Sequence, residues 1–96
     1  MRRDVVVTYD IADEVRLRKV FNIMRGFGDH LQYSVFRCAL SEREATRLRS
    51  ELSGVINHAE DQVLFIDLGP YDAGPDTRTS TLGRTLSRPR RCALVI

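Results

Sequence analysis

An α+β fold of the ferredoxin-like, split βαβ type is predicted by the order in which apolar and amphipathic segments follow one another: strand, helix, strand, strand, helix, strand. Two further observations support it. Both helical segments carry a single apolar stripe, so both should cover the same face of an antiparallel sheet. The runs Val5–Val7 and Val63–Ile66 are apolar without alternation, as in strands covered on both faces. A helix-bare apolar sheet face is costly in water, and a second copy packed sheet to sheet is the simplest cover. The expected organisation is therefore a homodimer. Residues 1–70 form the domain, and residues 71–96 form a linker and an extra C-terminal strand added to the dimer.

The first strand, Val5-Val6-Val7-Thr8-Tyr9-Asp10, opens on three β-branched residues, whose stiff side chains suit a pleated surface. Asp13–Phe27 reads as a helix with Leu17, Val20, Phe21, Met24 and Phe27 on one face. Asp13 is its N-cap, Arg25 suits the negative end of its dipole, and Gly26 and Gly28 stop it. Leu31–Leu40 is extended, but its alternation changes phase. Leu31, Tyr33 and Val35 point one way, and Phe36, Cys38 and Leu40 the other, which predicts a short strand, a sharp bend near Ser34 and a longer strand. Ser41-Glu42-Arg43-Glu44 is a capping box with Leu40 and Ala45 as a hydrophobic staple. It opens a helix buried through Ala45, Leu48, Leu52 and Val55 and released by Gly54 and Asn57. Arg43, Arg47 and Arg49 read as its solvated face, with Glu51 one turn beyond Arg47. Gln62–Leu68 is a strand closed by Gly69-Pro70. The stretch 71–91 has no hydrophobic period and reads as a loop, and Cys92–Ile96 returns to strand chemistry.

Ninety-six residues suit one domain with one modest core. No apolar stretch is long enough to span a membrane. Met1-Arg2-Arg3 is followed by Asp4 rather than by an apolar leader. Cys38 and Cys92 have neither metal-site nor disulfide-framework spacing and read as buried thiols, which points to a cytoplasmic protein. The formal charge is +2, and fourteen of the fifteen basic residues are arginine. Arginine suits bidentate contact with phosphate. The tail after residue 70 holds Arg78, Arg84, Arg88, Arg90 and Arg91 against Asp72 and Asp76.

No phosphate-binding glycine loop, serine-hydrolase elbow or zinc-protease motif is present, nor are there stacked aromatics on central strands. His30 and His58 fall at element ends and read as solvated loop residues. Asp10 remains, with Tyr9 beside it, at the carboxyl end of a central strand and ahead of a basic helix. Two readings stand side by side for it: a turn or capping carboxylate, and a cation ligand. Magnesium takes one or two carboxylates plus water and phosphate, so a twofold axis near the strand ends would complete a site that one Asp10 only begins. Such a site polarises a phosphodiester and acidifies water.

Val5–Ile11, the Asp13-Glu14 helix start with Arg16, Arg18, Lys19 and Val20, and the segment Gln32-Tyr33-Ser34-Val35-Phe36 together resemble CRISPR-associated protein family two. This is the small endonuclease-like partner of the CRISPR integrase, and the resemblance covers roughly residues 4–70. It implies a ferredoxin-like homodimer and a metal-dependent nuclease using Mg²⁺, or Mn²⁺, on single-stranded RNA or double-stranded DNA. It also implies a place at the centre of spacer integration in antiviral defence. By the same resemblance Asp10 is the catalytic, metal-binding aspartate. Arg16, Arg18 and Lys19 bind nucleic acid, and Tyr9, Ser34 and Phe36 support the site. Arg37 and Cys38 depart from the family's usual acidic or glycine positions. A non-catalytic dimeric DNA-binding adaptor and a toxin-like endoribonuclease of the same fold are the alternatives.

Overall fold

A computed structural model describes residues 1–86. Its elements are β1 (Arg3–Asp10), α1 (Glu14–Arg25), β2 (Asp29–Gln32), β3 (Val35–Leu40), α2 (Glu42–Ser53) and β4 (Gln62–Pro70). The sheet order is β2-β3-β1-β4 with every neighbour antiparallel, which is the ferredoxin-like arrangement. The expected strand Cys92–Ile96 lies outside the described residues.

Alternation along β1 sends Val7 and Tyr9 toward the helices, where they join Val20 and Met24 of α1, Phe36, Cys38 and Leu40 of β3, and Leu48 and Leu52 of α2 in one core. Each helix starts as its sequence dictates. Asp13 Oδ2 accepts from the Arg16 amide at 2.9 Å. The Ser41 hydroxyl accepts from the Glu44 amide at 3.1 Å, while Glu44 Oε1 accepts from the Ser41 amide at 2.8 Å, completing the capping box. The stripe expected on α1 is one residue too wide. Leu17 is 36% exposed, and Val20 and Met24 take the buried positions.

The phase change near Ser34 appears as a register shift between His30 and Gln32 and as a positive φ of 33° at Tyr33. β2 begins at Asp29, two residues before the expected start at Leu31, so His30 belongs to a strand rather than to a solvated loop. Gly28 marks the close approach of this strand. A Cβ there would lie 2.4 Å from Cys38 Sγ and 2.6 Å from the Arg37 carbonyl, so only glycine fits.

The helix-free face carries Asp4, Val6, Thr8 and Asp10 of β1, Val35, Arg37 and Ala39 of β3, and Leu64 and Ile66 of β4, by the register of the strands. Part of it is covered by the chain itself. Beyond the Tyr71 amide, which donates to the Arg2 carbonyl at 2.9 Å, the tail runs across this face toward β2. Arg37 anchors it. Its guanidinium grips Asp4 with Nε–Oδ1 and Nη2–Oδ2 at 2.9 and 2.7 Å, reaches Asp76 Oδ2 at 3.0 Å, and contacts the Thr79 hydroxyl. Arg78 adds a contact to Asp4 Oδ2 at 3.3 Å. Asp4 and Arg37 are both 2% exposed, an ion pair sealed beneath the tail. Leu64 and Ile66 stay 47% exposed on the same face.

Candidate metal and nucleic-acid site

Asp10 closes β1 opposite Gln62, where the last backbone pair with β4 holds the strand end in place. Its side chain is exposed and makes no ion pair or hydrogen bond among the described residues. Strand alternation sets it on the helix-free face, whereas Tyr9 faces the helices and is 6% exposed. Tyr9 is thus next to Asp10 in the chain but on the other side of the sheet. Its ring stacks on Phe36 with centroids 6.3 Å apart, and its amide donates to the Ser34 carbonyl at 3.1 Å. Burial pushes the Tyr9 phenol above its ordinary value, opposed by a contact with the Ser34 side chain, so it stays protonated. Tyr9 meets both Ser34 and Phe36 near the end of β1. They fix the end of β1 from beneath and do not touch the carboxylate.

The basic residues of α1 divide into two kinds. Arg16 is taken up internally: its Nε and Nη2 lie 2.8 and 3.2 Å from the two oxygens of Asp61, and Nη2 also reaches Glu60 at 3.2 Å. The Asp61 carboxylate in turn accepts from the Ala12 and Asn57 amides at 2.9 and 2.8 Å. The Arg16 guanidinium and these two amides hold the Asp61 carboxyl well below the usual carboxylate range. Arg16 therefore ties the start of α1 to the loop before β4. Arg18 and Lys19 are exposed and make no ion pair among the described residues, so their charge is open to a polyanion. On α2, Arg47 pairs with Glu51 at 3.4 Å, as the spacing predicts. Arg49 lies over Phe65 at 4.0 Å from the ring centroid.

His30 and Arg37 acquire places that sequence reasoning did not assign. His30 packs its ring against Phe21 and Phe36 at 5.1 and 4.9 Å and donates from Nε2 to the Tyr33 carbonyl at 2.6 Å. Its position two residues after Gly28 was the only local cue. Arg37 stood out as a departure next to the site. It faces Asp4 and the tail instead, and so bears on the fold rather than on Asp10. Its partners are 33 and 39 residues away, beyond any local pattern.

Among the described residues no group of three or more His, Cys, Asp or Glu side chains is placed to hold a metal ion. Asp10 offers one hard carboxylate, of the donor type magnesium takes, at an open strand end. One chain therefore presents part of such a site.

Sheet order, open carboxylate and basic first helix define a small ferredoxin-like protein with an exposed carboxylate at the end of a central strand. Residues 3–74 match the model of the family described as CRISPR associated protein Cas2, and the chain belongs to that family. It is 37% identical over 91 residues to the CRISPR-associated endoribonuclease Cas2 of Geobacter sulfurreducens, covering 95% of each chain. It is 40% identical to CRISPR-associated endoribonuclease Cas2 1 of Rhodospirillum rubrum, over 95% of this chain and 88% of that one. The fold matches the crystal structure of Streptococcus pyogenes Cas2 with a TM-score of 0.71 and 32% identity, over 83% of this chain and 99% of that one. A hypothetical protein from Thermus thermophilus matches with a TM-score of 0.75 and 27% identity, over 88% and 94% of the two chains.

Proposed function

We propose that this protein is a Mg²⁺-dependent endonuclease of the cytoplasm that hydrolyses phosphodiester bonds and acts with the CRISPR integrase in spacer acquisition. The observation that carries the reading is Asp10: an exposed carboxylate with no partner among the described residues, fixed at the end of the central strand. The names of the endoribonuclease relatives point the same way. Magnesium, or manganese in its place, would be held by the Asp10 carboxylates of two copies and would supply positive charge to the phosphodiester. The chain's own residues do the rest. Arg18 and Lys19 hold backbone phosphates, and Tyr9, Ser34 and Phe36 keep the strand end from shifting. Arg16 acts in this reading chiefly by fixing α1, its charge being largely balanced by Asp61 and Glu60.

The two copies meet through the helix-free face, where the half-exposed Leu64 and Ile66 remain beside the tail. Light scattering should give a dimer mass, and Ile66→Asp should shift it toward the monomer. A monomeric wild type at micromolar concentration would overturn this assembly.

A second reading, a non-catalytic dimeric adaptor gripping duplex DNA by its backbone, is favoured by the exposed Arg18 and Lys19, which make no ion pair among the described residues. Asp10→Ala separates the two. The nuclease reading expects cleavage of single-stranded RNA or duplex DNA to disappear in Asp10→Ala and in chelator. The adaptor reading expects integration with the integrase to proceed unchanged. Binding to duplex DNA should also weaken with salt, by a log–log slope of about −0.9 for each phosphate neutralised.

A further inference from the structure

The β2–β3 turn holds a side chain that the fold does not use. Tyr33 has a φ of 33°, in the left-handed region that glycine and asparagine adopt readily and a bulky aromatic residue does not. It gains no burial in exchange, since it is 91% exposed. The surroundings nevertheless clamp the turn on both sides. His30 donates to the Tyr33 carbonyl at 2.6 Å, and the Tyr9 amide donates to the Ser34 carbonyl at 3.1 Å. Backbone strain imposed by the surrounding structure on an exposed residue points to a role outside packing.

Tyr33 also walls a groove of about 460 Å³ between this turn and residues 81–86 of the tail, with Gln32 and Arg84 beside it. A free aromatic face, a guanidinium and a side-chain amide are the groups that take up an unstacked nucleotide. The ring stacks on any base, the guanidinium neutralises phosphate, and the amide reaches base edges. The turn is joined to the proposed site by a short path. Ser34 follows Tyr33 and is bonded to Tyr9, which precedes Asp10. With about 3.8 Å between successive Cα atoms and about 5 Å between paired strands, that path is at most roughly 13 Å long.

We infer that Tyr33 is a base-stacking platform for single-stranded RNA, with Arg84 on an adjoining phosphate, holding the nucleotides next to the phosphodiester offered to Asp10. The inference rests on the endonuclease reading for its substrate and deepens it. Binding of a short fluorescein-labelled single-stranded RNA to the full-length protein, followed by anisotropy in chelator, tests it without metal or cleavage. Tyr33→Ala should weaken binding about tenfold, Tyr33→Phe should retain it, and Arg84→Ala should lose less than Tyr33→Ala. Duplex DNA, whose bases are already stacked, should bind Tyr33→Ala as it binds wild type. Tyr33→Gly should lose RNA affinity with no fall in thermal midpoint, showing that the fold is intact. In a cleavage assay Tyr33→Ala should raise KM more than it lowers kcat. Wild-type RNA affinity in Tyr33→Ala, an equal loss on duplex DNA, or no RNA binding by wild type would overturn the inference. RNA binding that depends on Tyr33 in a protein that cleaves nothing would instead overturn the endonuclease reading alone.

Discussion

Asp4 and Asp10 lie on the same strand and the same face, six residues apart, and have opposite fates. Asp4 is 2% exposed and held by Arg37 and Arg78, whereas Asp10 is open and has no partner among the described residues. Position on the strand does not separate them, since both follow the same alternation. What separates them is cover and charge: the tail runs over Asp4 and adds Arg78 to the Arg37 that β3 already sets against it. A buried carboxylate is tolerable only when paired and hydrogen-bonded, so Asp4 belongs to the architecture. Asp10, exposed and without a partner among the described residues, adds little to the fold, and the proposed metal site is where its charge would be used.

Breaking the buried pair should have the largest effect. Arg37→Ala takes from the sealed Asp4 its two-bonded guanidinium partner, while Arg78, which also contacts it, is 44% exposed, and the change should cost about 3–5 kcal/mol, read as a fall in the urea midpoint. The pair Asp4→Leu with Arg37→Met removes both charges and should recover most of that loss, with any remainder assigned to Asp76, which loses its contacts to the Arg37 guanidinium. If Arg37→Ala unfolds like wild type, Asp4 is solvated and the contrast with Asp10 collapses.

Asp61 should come next and shows itself through pH. Its folded carboxyl titrates below the ordinary value of 3.8, so the stability it confers is fully present at neutral pH and is lost as pH falls below about 4. Asp67 and Glu44, both lowered by hydrogen bonds and arginine partners, act in the same direction. The thermal midpoint of wild type should drop between pH 5 and pH 3. Asp61→Asn should start lower at pH 7 and have a flatter acid limb. An equally steep limb in Asp61→Asn would place the acid sensitivity elsewhere.

Ser41→Ala should cost about 1 kcal/mol, the usual worth of an N-cap, in the same urea titration. Asp10→Asn should be the smallest change of all, within about 0.5 kcal/mol of wild type, while abolishing cleavage. A marked destabilisation by Asp10→Asn would show that its carboxylate is structural after all.

Features with local causes were legible in the sequence. The Ser41–Glu44 box needs only four consecutive residues, and the change of side-chain phase at Ser34 announced the turn with its register shift. The open end of the central strand was legible as well, because strand order follows from the order of apolar runs. The Asp4–Arg37–Asp76 cluster was not, since charges meeting across 33 and 39 residues leave no periodic trace. The tail was equally opaque: with no hydrophobic period it read as a loop, yet it is held down by Asp76 and Thr79 on Arg37. His30 was misjudged for a related reason. A histidine near an element end usually meets water, and only the approach at Gly28 brings this one against Phe21 and Phe36. Leu17 shows the converse, a residue on the correct helical period that stays exposed while Val20 and Met24 are buried.

The strand at the centre of the sheet leaves the ribosome ahead of both its partners. β1 pairs with β3 on one side and β4 on the other, so its partners are made roughly 30 and 60 residues after it. Until residue 70 has emerged, one edge of Val5–Val7 has nothing to bond, and an apolar strand with a bare edge is what pairs wrongly with a neighbouring chain. Helix formation cannot shorten this wait, because the helices have no complete sheet on which to lie. Folding should therefore be governed by closure of long loops rather than by the local helices, and be slower than that of a helical bundle of the same length.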